Sequence, residues 1–190
     1  MTGFGESDSM KYPYSLDDYV AEIKGVIDLL GVEKVDVVAH SFGARVLVKL
    51  LAVDKRIDKI VLTGAAGLGK RRGMKYFFKR TLFKILKSFI PREKLKKFYS
   101  SDYLSLSPVM KESFKLIVGE DLTEYYKKIK NEALIIFGAK DKETPVKTAK
   151  RMKKCVKRSR LVVLSRSGHF CFCERPNAFN SKVFSFLMEK

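Results

Sequence analysis

The apolar positions of the chain fall into two alternating rhythms. After Ser15, Leu16, Val20, Ile23, Val26, Ile27, Leu29 and Leu30 recur at helical spacing, and Gly31 closes the run. A Ser in front and a Gly behind are cap residues, so the pattern predicts a helix. Val35-Asp36-Val37-Val38-Ala39 then reads as a short apolar strand of the buried parallel kind. Past a break at Ala39-His40-Ser41-Phe42-Gly43, Val46, Leu47, Leu50 and Leu51 mark the inner side of a second helix.

The alternation continues. Ile60-Val61-Leu62 predicts a strand that ends at Gly64-Ala65-Ala66-Gly67. Ala133 to Phe137 predicts a third strand, closed by Gly138. Val146, Ala149, Met152 and Val156 define one helical face, and Leu161 to Leu164 a fourth strand. Pro176 opens a last helix with Phe179, Val183, Phe184 and Leu187 inward. Strands alternating with helices predict an α/β domain with a mainly parallel sheet and flanking helices.

One stretch breaks the rhythm. Residues 68–131 show helical patterns and no convincing strand, and Met74 to Ile90 carries Phe77, Phe78, Leu82, Phe83, Ile85, Leu86, Phe89 and Ile90 among five Lys or Arg. A long insertion with structure of its own usually covers a site. The expected organisation is therefore a core from 1–67 and 132–190 with a helical cap or lid at 68–131.

At 190 residues the chain suits a single domain, and 46% apolar against 32% charged residues is a globular balance. No apolar run is long enough to cross a bilayer, and the first 15 residues lack a leader pattern, so a cytoplasmic protein is expected. Cys155, Cys171 and Cys173 lack metal-ligand spacing. No metal and no cofactor is expected.

The net charge of +18 is concentrated. Twelve Lys or Arg lie between Leu68 and Ser100 with one acid, Glu93, and eight lie between Lys147 and Arg160 with none. Such density favours weak contact with anionic surfaces. Nothing resembles a specific nucleic-acid-reading element.

In a parallel sheet the residues just beyond the C-terminal strand ends share one edge, where ligands bind. Ser41 follows the first strand, Asp141 the third and His169 the fourth. Nucleophile, acid and base thus arrive in that order, with a strand-turn-helix around the Ser, as a nucleophile elbow requires. A Ser hydroxyl needs an imidazole to take its proton and a carboxylate to orient that imidazole. Of the two histidines, His40 adjoins Ser41 in a tight turn and is expected to point away, which leaves His169 as the base. Asp141 is preferred by position over Glu143. The plain alternative for Ser41 is a cap of the following helix, and for His169 a loop residue without a role.

"AHSFGAR" resembles the elbow of the α/β-hydrolase fold family, with Ala39 and Ala44 in place of two glycines. "GFGESD" at the start, "FGAKDKETP" and "GHFCFCERPNAFN" resemble its fourth-strand loop, acid loop and histidine loop. "SSDYLSLSPVMKESF" is similar to the cap of uncharacterised bacterial members. The resemblance runs from Thr2 to the end. It implies a Ser41–His169–Asp141 triad, with the Phe42 backbone N–H in the oxyanion hole. It further implies hydrolysis of an ester or thioester, or of a carbon–carbon bond, in a small apolar substrate. A Ser nucleophile argues against the dehalogenase and epoxide-hydrolase branches.

The resemblance also implies an N-terminally truncated member. Three family strands and most of a fourth, with the loop giving the second oxyanion donor, have no counterpart before "GFG". Self-association through an exposed strand edge is expected from that. The alternative reading is a catalytically impaired fragment whose basic, amphipathic cap binds anionic membrane or polyanions.

Overall fold

The structure, a computed structural model, describes residues 1–69 and 106–189. The aromatic and basic stretch between Lys70 and Lys97 lies outside the described residues. Among them the element order is α1 (Leu16–Leu30), β1 (Val35–His40), α2 (Phe42–Val53), β2 (Ile57–Thr63), α3 (Pro108–Gly119) and α4 (Thr123–Lys128). There follow β3 (Ala133–Gly138), α5 (Val146–Cys155), β4 (Ser159–Leu164), α6 (Cys171–Glu174) and α7 (Pro176–Met188).

The strands form one parallel sheet in the order β1-β2-β3-β4. Alternate side chains feed two hydrophobic layers. Ile60, Leu62, Ala133, Ile135 and Phe137 point toward the layer holding α1, α2 and α5 residues. Val61, Leu134 and Ile136 point to the opposite layer, where Phe179 and Phe186 of α7 cover them. Covering both faces explains why β3 is buried along its whole length and reads as a continuous apolar run.

Helix α1 is fixed at both ends by its sequence. The Ser15 hydroxyl accepts from the Asp18 N–H while the Asp18 carboxylate accepts from the Ser15 N–H, and Gly31 takes the left-handed φ of 61°. Of the apolar positions at helical spacing, Leu16, Val20 and Ile27 are buried, but Val26, Leu29 and Leu30 are exposed. Tyr19 fills the core instead. A second correction concerns α7, where Phe186 is buried and Phe184 is exposed. Phe186 lies under the cations of Lys59 and Arg160, which fixes the rotation of the helix end.

A third correction concerns β1. It is an edge strand among the described residues, pairing with β2 alone, and Val38 is half exposed rather than buried. Only Val35, Val37 and Ala39 reach the core layer. Within the irregular stretch, α3 and α4 are the described elements. Ile117, Leu122, Tyr126 and Ile129 pack into the main core. Arg45 of α2 holds the end of α3 by donating to the carbonyls of Ile117 and Glu120.

Candidate active site

Parallel pairing brings four strand ends to one edge, and each contributes to the site. Ser41 sits between β1 and α2 with φ 48° and ψ −105°. A non-glycine residue there costs about 1–3 kcal/mol and persists only where its surroundings hold it. Two backbone hydrogen bonds do so: Ser41 N–H donates to the Thr63 carbonyl at 3.0 Å, and Ala66 N–H donates to the Ser41 carbonyl at 3.3 Å. The Ser41 hydroxyl does not cap the helix. The simpler explanation of that polar residue therefore fails, and a strained backbone is left presenting a free hydroxyl. Phe42 is the first helical residue, so its N–H has no intrahelical acceptor and points out at the positive end of α2.

Asp141 lies three residues beyond β3 and is buried. Its Oδ1 accepts from the Thr144 N–H at 2.8 Å. Its Oδ2 accepts from the Thr144 hydroxyl at 2.9 Å and from His169 Nδ1, also at 2.9 Å. Glu143 is exposed and takes no part in these contacts. An ionised carboxylate only accepts, so Nδ1 of His169 carries the proton and Nε2 is left with a lone pair.

The His169 loop is stitched to the acid loop. Ala139 N–H donates to the Leu164 carbonyl at 2.9 Å and Lys140 N–H to the Ser167 carbonyl at 2.8 Å. Glu174 holds the turn before His169, accepting from the Gly168 N–H with both oxygens at 3.1 and 3.0 Å. The His169 ring packs on Gly64, at φ 50°, where a Cβ would stand 3.1 Å from Cε1 and Nδ1. Ser41 and His169 thus both contact the Thr63–Gly64 bend.

The structure joins Asp141 to His169 directly. Among the described residues no hydrogen bond joins the Ser41 hydroxyl to His169; such contacts often close only with substrate present. His40 does not contact the carboxylate. Its ring lies 4.7 Å from the His169 ring, and its Nε2–H donates to the His169 carbonyl at 3.1 Å. Burial pushes the His40 imidazole below its ordinary value, which keeps it neutral. Among the described residues no group of three His, Cys, Asp or Glu could hold a metal ion, and no helix is long and apolar enough to cross a membrane.

Three residues at this edge carried little signal in the sequence. Thr144 follows the acid by three, a spacing that marks a local cap. Gly64 and Gly138 read only as strand ends, because their close neighbours are remote in the chain.

A model of the α/β hydrolase fold matches residues 1–81. The AB hydrolase superfamily protein YisY of Bacillus subtilis is 26% identical, over 98% of this chain and 78% of that protein. A meta-cleavage product hydrolase from Pseudomonas fluorescens superposes with a TM-score of 0.70 at 29% identity, covering 98% of this chain and 77% of that one. The chain has the α/β-hydrolase fold. An esterase from Exiguobacterium antarcticum shares the fold with a TM-score of 0.74 at 24% identity, covering 99% of this chain and 79% of that one. Among curated relatives, the 2-hydroxy-6-oxo-2,4-heptadienoate hydrolase of Pseudomonas putida is 25% identical over 98% of this chain and 76% of its own length. Those relatives and neighbours are named as hydrolases and an esterase. The features described above lie at the sheet edge where that fold places its chemistry.

Proposed function

We propose that the chain is a serine hydrolase cleaving an ester or thioester of a small apolar substrate. Ser41 is the nucleophile, His169 the general base and Asp141 the orienting acid. The observation that carries this reading is the 2.9 Å contact between buried Asp141 and His169 Nδ1, which leaves Nε2 as a proton acceptor.

Nε2 takes the Ser41 hydroxyl proton as Oγ attacks the carbonyl carbon. The carbonyl electron pair moves onto oxygen, where the Phe42 N–H and the α2 dipole stabilise it. The adduct collapses, the leaving alkoxide or thiolate receives the proton from Nε2, and an acyl-Ser41 remains. Water then gives its proton to Nε2 and attacks the acyl carbon. The second collapse releases the acid and returns the proton to Ser41. Asp141 stays ionised and balances the imidazolium at each stage.

Phe42, with Phe4 stacked on it at 5.4 Å, and Phe170 beside His169 support an apolar acyl group. Phe4 and Phe170 are each about half exposed, so both present ring surface beside the site. A carbon–carbon bond substrate is the second reading, favoured by the names of the curated relatives, several of them 2-hydroxy-6-oxo-dienoate hydrolases.

Turnover of p-nitrophenyl esters beside a 2-hydroxy-6-oxo-dienoate separates the two readings. The proposal expects ester cleavage that disappears in Ser41→Ala. Dienoate cleavage without ester cleavage selects the second reading, and ester cleavage that survives in Ser41→Ala contradicts both.

A further inference from the structure

We propose that Thr144 is a positioning residue for the acid–base pair, holding Asp141 so that a single oxygen faces His169. The inference rests on the roles given above to Asp141 and His169. Thr144 contacts both carboxylate oxygens from one residue: its N–H donates to Oδ1 at 2.8 Å and its hydroxyl to Oδ2 at 2.9 Å. These two bonds fix the plane of the carboxylate. The Nδ1–H of His169 takes the remaining approach to Oδ2.

The same hydroxyl lies 2.9 Å from the Gly64 carbonyl and 3.4 Å from His169 Nδ1. Groups from the ends of β2, β3 and β4 therefore meet at one oxygen atom. That oxygen has one proton. The Gly64 carbonyl and the ionised Asp141 both accept, so they share it, while Nδ1–H faces an Oγ1 lone pair. An Nε2–H tautomer of His169 would turn the lone pair of Nδ1 toward Oδ2 and Oγ1 together. The threonine thus penalises the tautomer that is useless for accepting the Ser41 proton.

A turn residue alone would need only the N–H bond to Oδ1. The hydroxyl is superfluous to the turn and is the part that contacts the other two strand ends. Its absence leaves Asp141 Oδ2 free to rotate away and Nδ1 without a fixed partner.

Long-range ¹H–¹⁵N correlation spectra distinguish the two ring nitrogens of His169 without requiring turnover. The expected result is the Nδ1–H tautomer in the native protein and in Thr144→Ser, and a mixture of tautomers in Thr144→Ala. With an ester substrate, kcat of Thr144→Ala falls roughly 10–100-fold at unchanged KM, and Ser restores most of it. A native protein with His169 in the Nε2–H form overturns the inference even if Thr144→Ala does not fold. So does a folded Thr144→Ala variant with the native tautomer. A tautomer shift in a protein that cleaves no ester upholds the role of Thr144 and sinks the ester-hydrolase reading instead.

Discussion

Gly138, at the end of β3, abuts the backbone of Gly168 so closely that a Cβ on it would stand 2.1 Å from the Gly168 carbonyl oxygen and 2.5 Å from that of Ser167. The acid loop and the histidine loop leave their strands at this contact. A methyl group there has backbone on the other side, which cannot rotate aside. Gly138→Ala should destabilise the fold by about 3 kcal/mol, the upper part of the overpacking range. Because the displaced loop carries His169, ester turnover should fall even in variant that remains folded. Denaturant midpoints and rates on the same sample check both effects.

Asp141→Asn keeps the shape of the acid and removes its charge. The side-chain amide cannot accept at both oxygen positions, so either the Thr144 N–H bond fails, or the bonds from the Thr144 hydroxyl and His169 fail together. The imidazolium also loses its counter-charge. The expected loss is about 10³–10⁴ in kcat with little change in KM. Steady-state kinetics on one ester measure it, and an Asn variant within tenfold of the native kcat would remove Asp141 from the mechanism.

The backbone at Ser41 stores strain that serves presentation rather than stability. Ala retains a Cβ at φ 48°, whereas Gly adopts that angle readily. Ser41→Gly should therefore be more stable than Ser41→Ala by about 1 kcal/mol, though both lack the nucleophile. Thermal or denaturant unfolding of the pair provides the comparison, and equal stability would mean that the angle costs nothing.

Asp54 and His40 each contribute to the acid limb of stability. Hydrogen bonding from the Arg56 guanidinium holds the Asp54 carboxyl at about 2, below its ordinary range. The unfolded chain takes up that proton first. The contribution is complete above the ordinary carboxylate value of about 4 and is lost as pH falls through 2. His40 acts at higher pH. Burial lowers its folded-state value, so stability declines from about pH 6.5 downward as the unfolded imidazole charges, until the folded one does too. Unfolding free energy against pH should be shallower at its upper end in His40→Gln and shallower at its lower end in Asp54→Asn, where Asp18, Asp28, Asp121 and Glu189 keep the remainder. A slope unchanged by its substitution contradicts that assignment.

Much of this architecture is legible in the sequence because it is local. Ser15, Asp18 and Gly31 announce both ends of α1, and the core of each strand is a short apolar run. The order Ser41, Asp141, His169 is readable because parallel strands send their C-terminal ends to one edge. The rotation of α7 is not readable. Val183, Phe184, Phe186 and Leu187 are all apolar, and the choice among them depends on Lys59 and Arg160 arriving from the sheet. The exposure of Val38 depends on how many neighbours β1 has, which a run of valines does not encode. Thr144 and Gly64 acquire meaning only when three strand ends meet, 80 residues apart along the chain.

The central claim is that Ser41 is a nucleophile activated by His169. Labelling with a fluorophosphonate, followed by peptide mass analysis, tests it most directly. The account predicts modification confined to Ser41, abolished in Ser41→Ala and strongly slowed in His169→Ala. A folded native sample left unmodified, or one modified equally fast without His169, would contradict it.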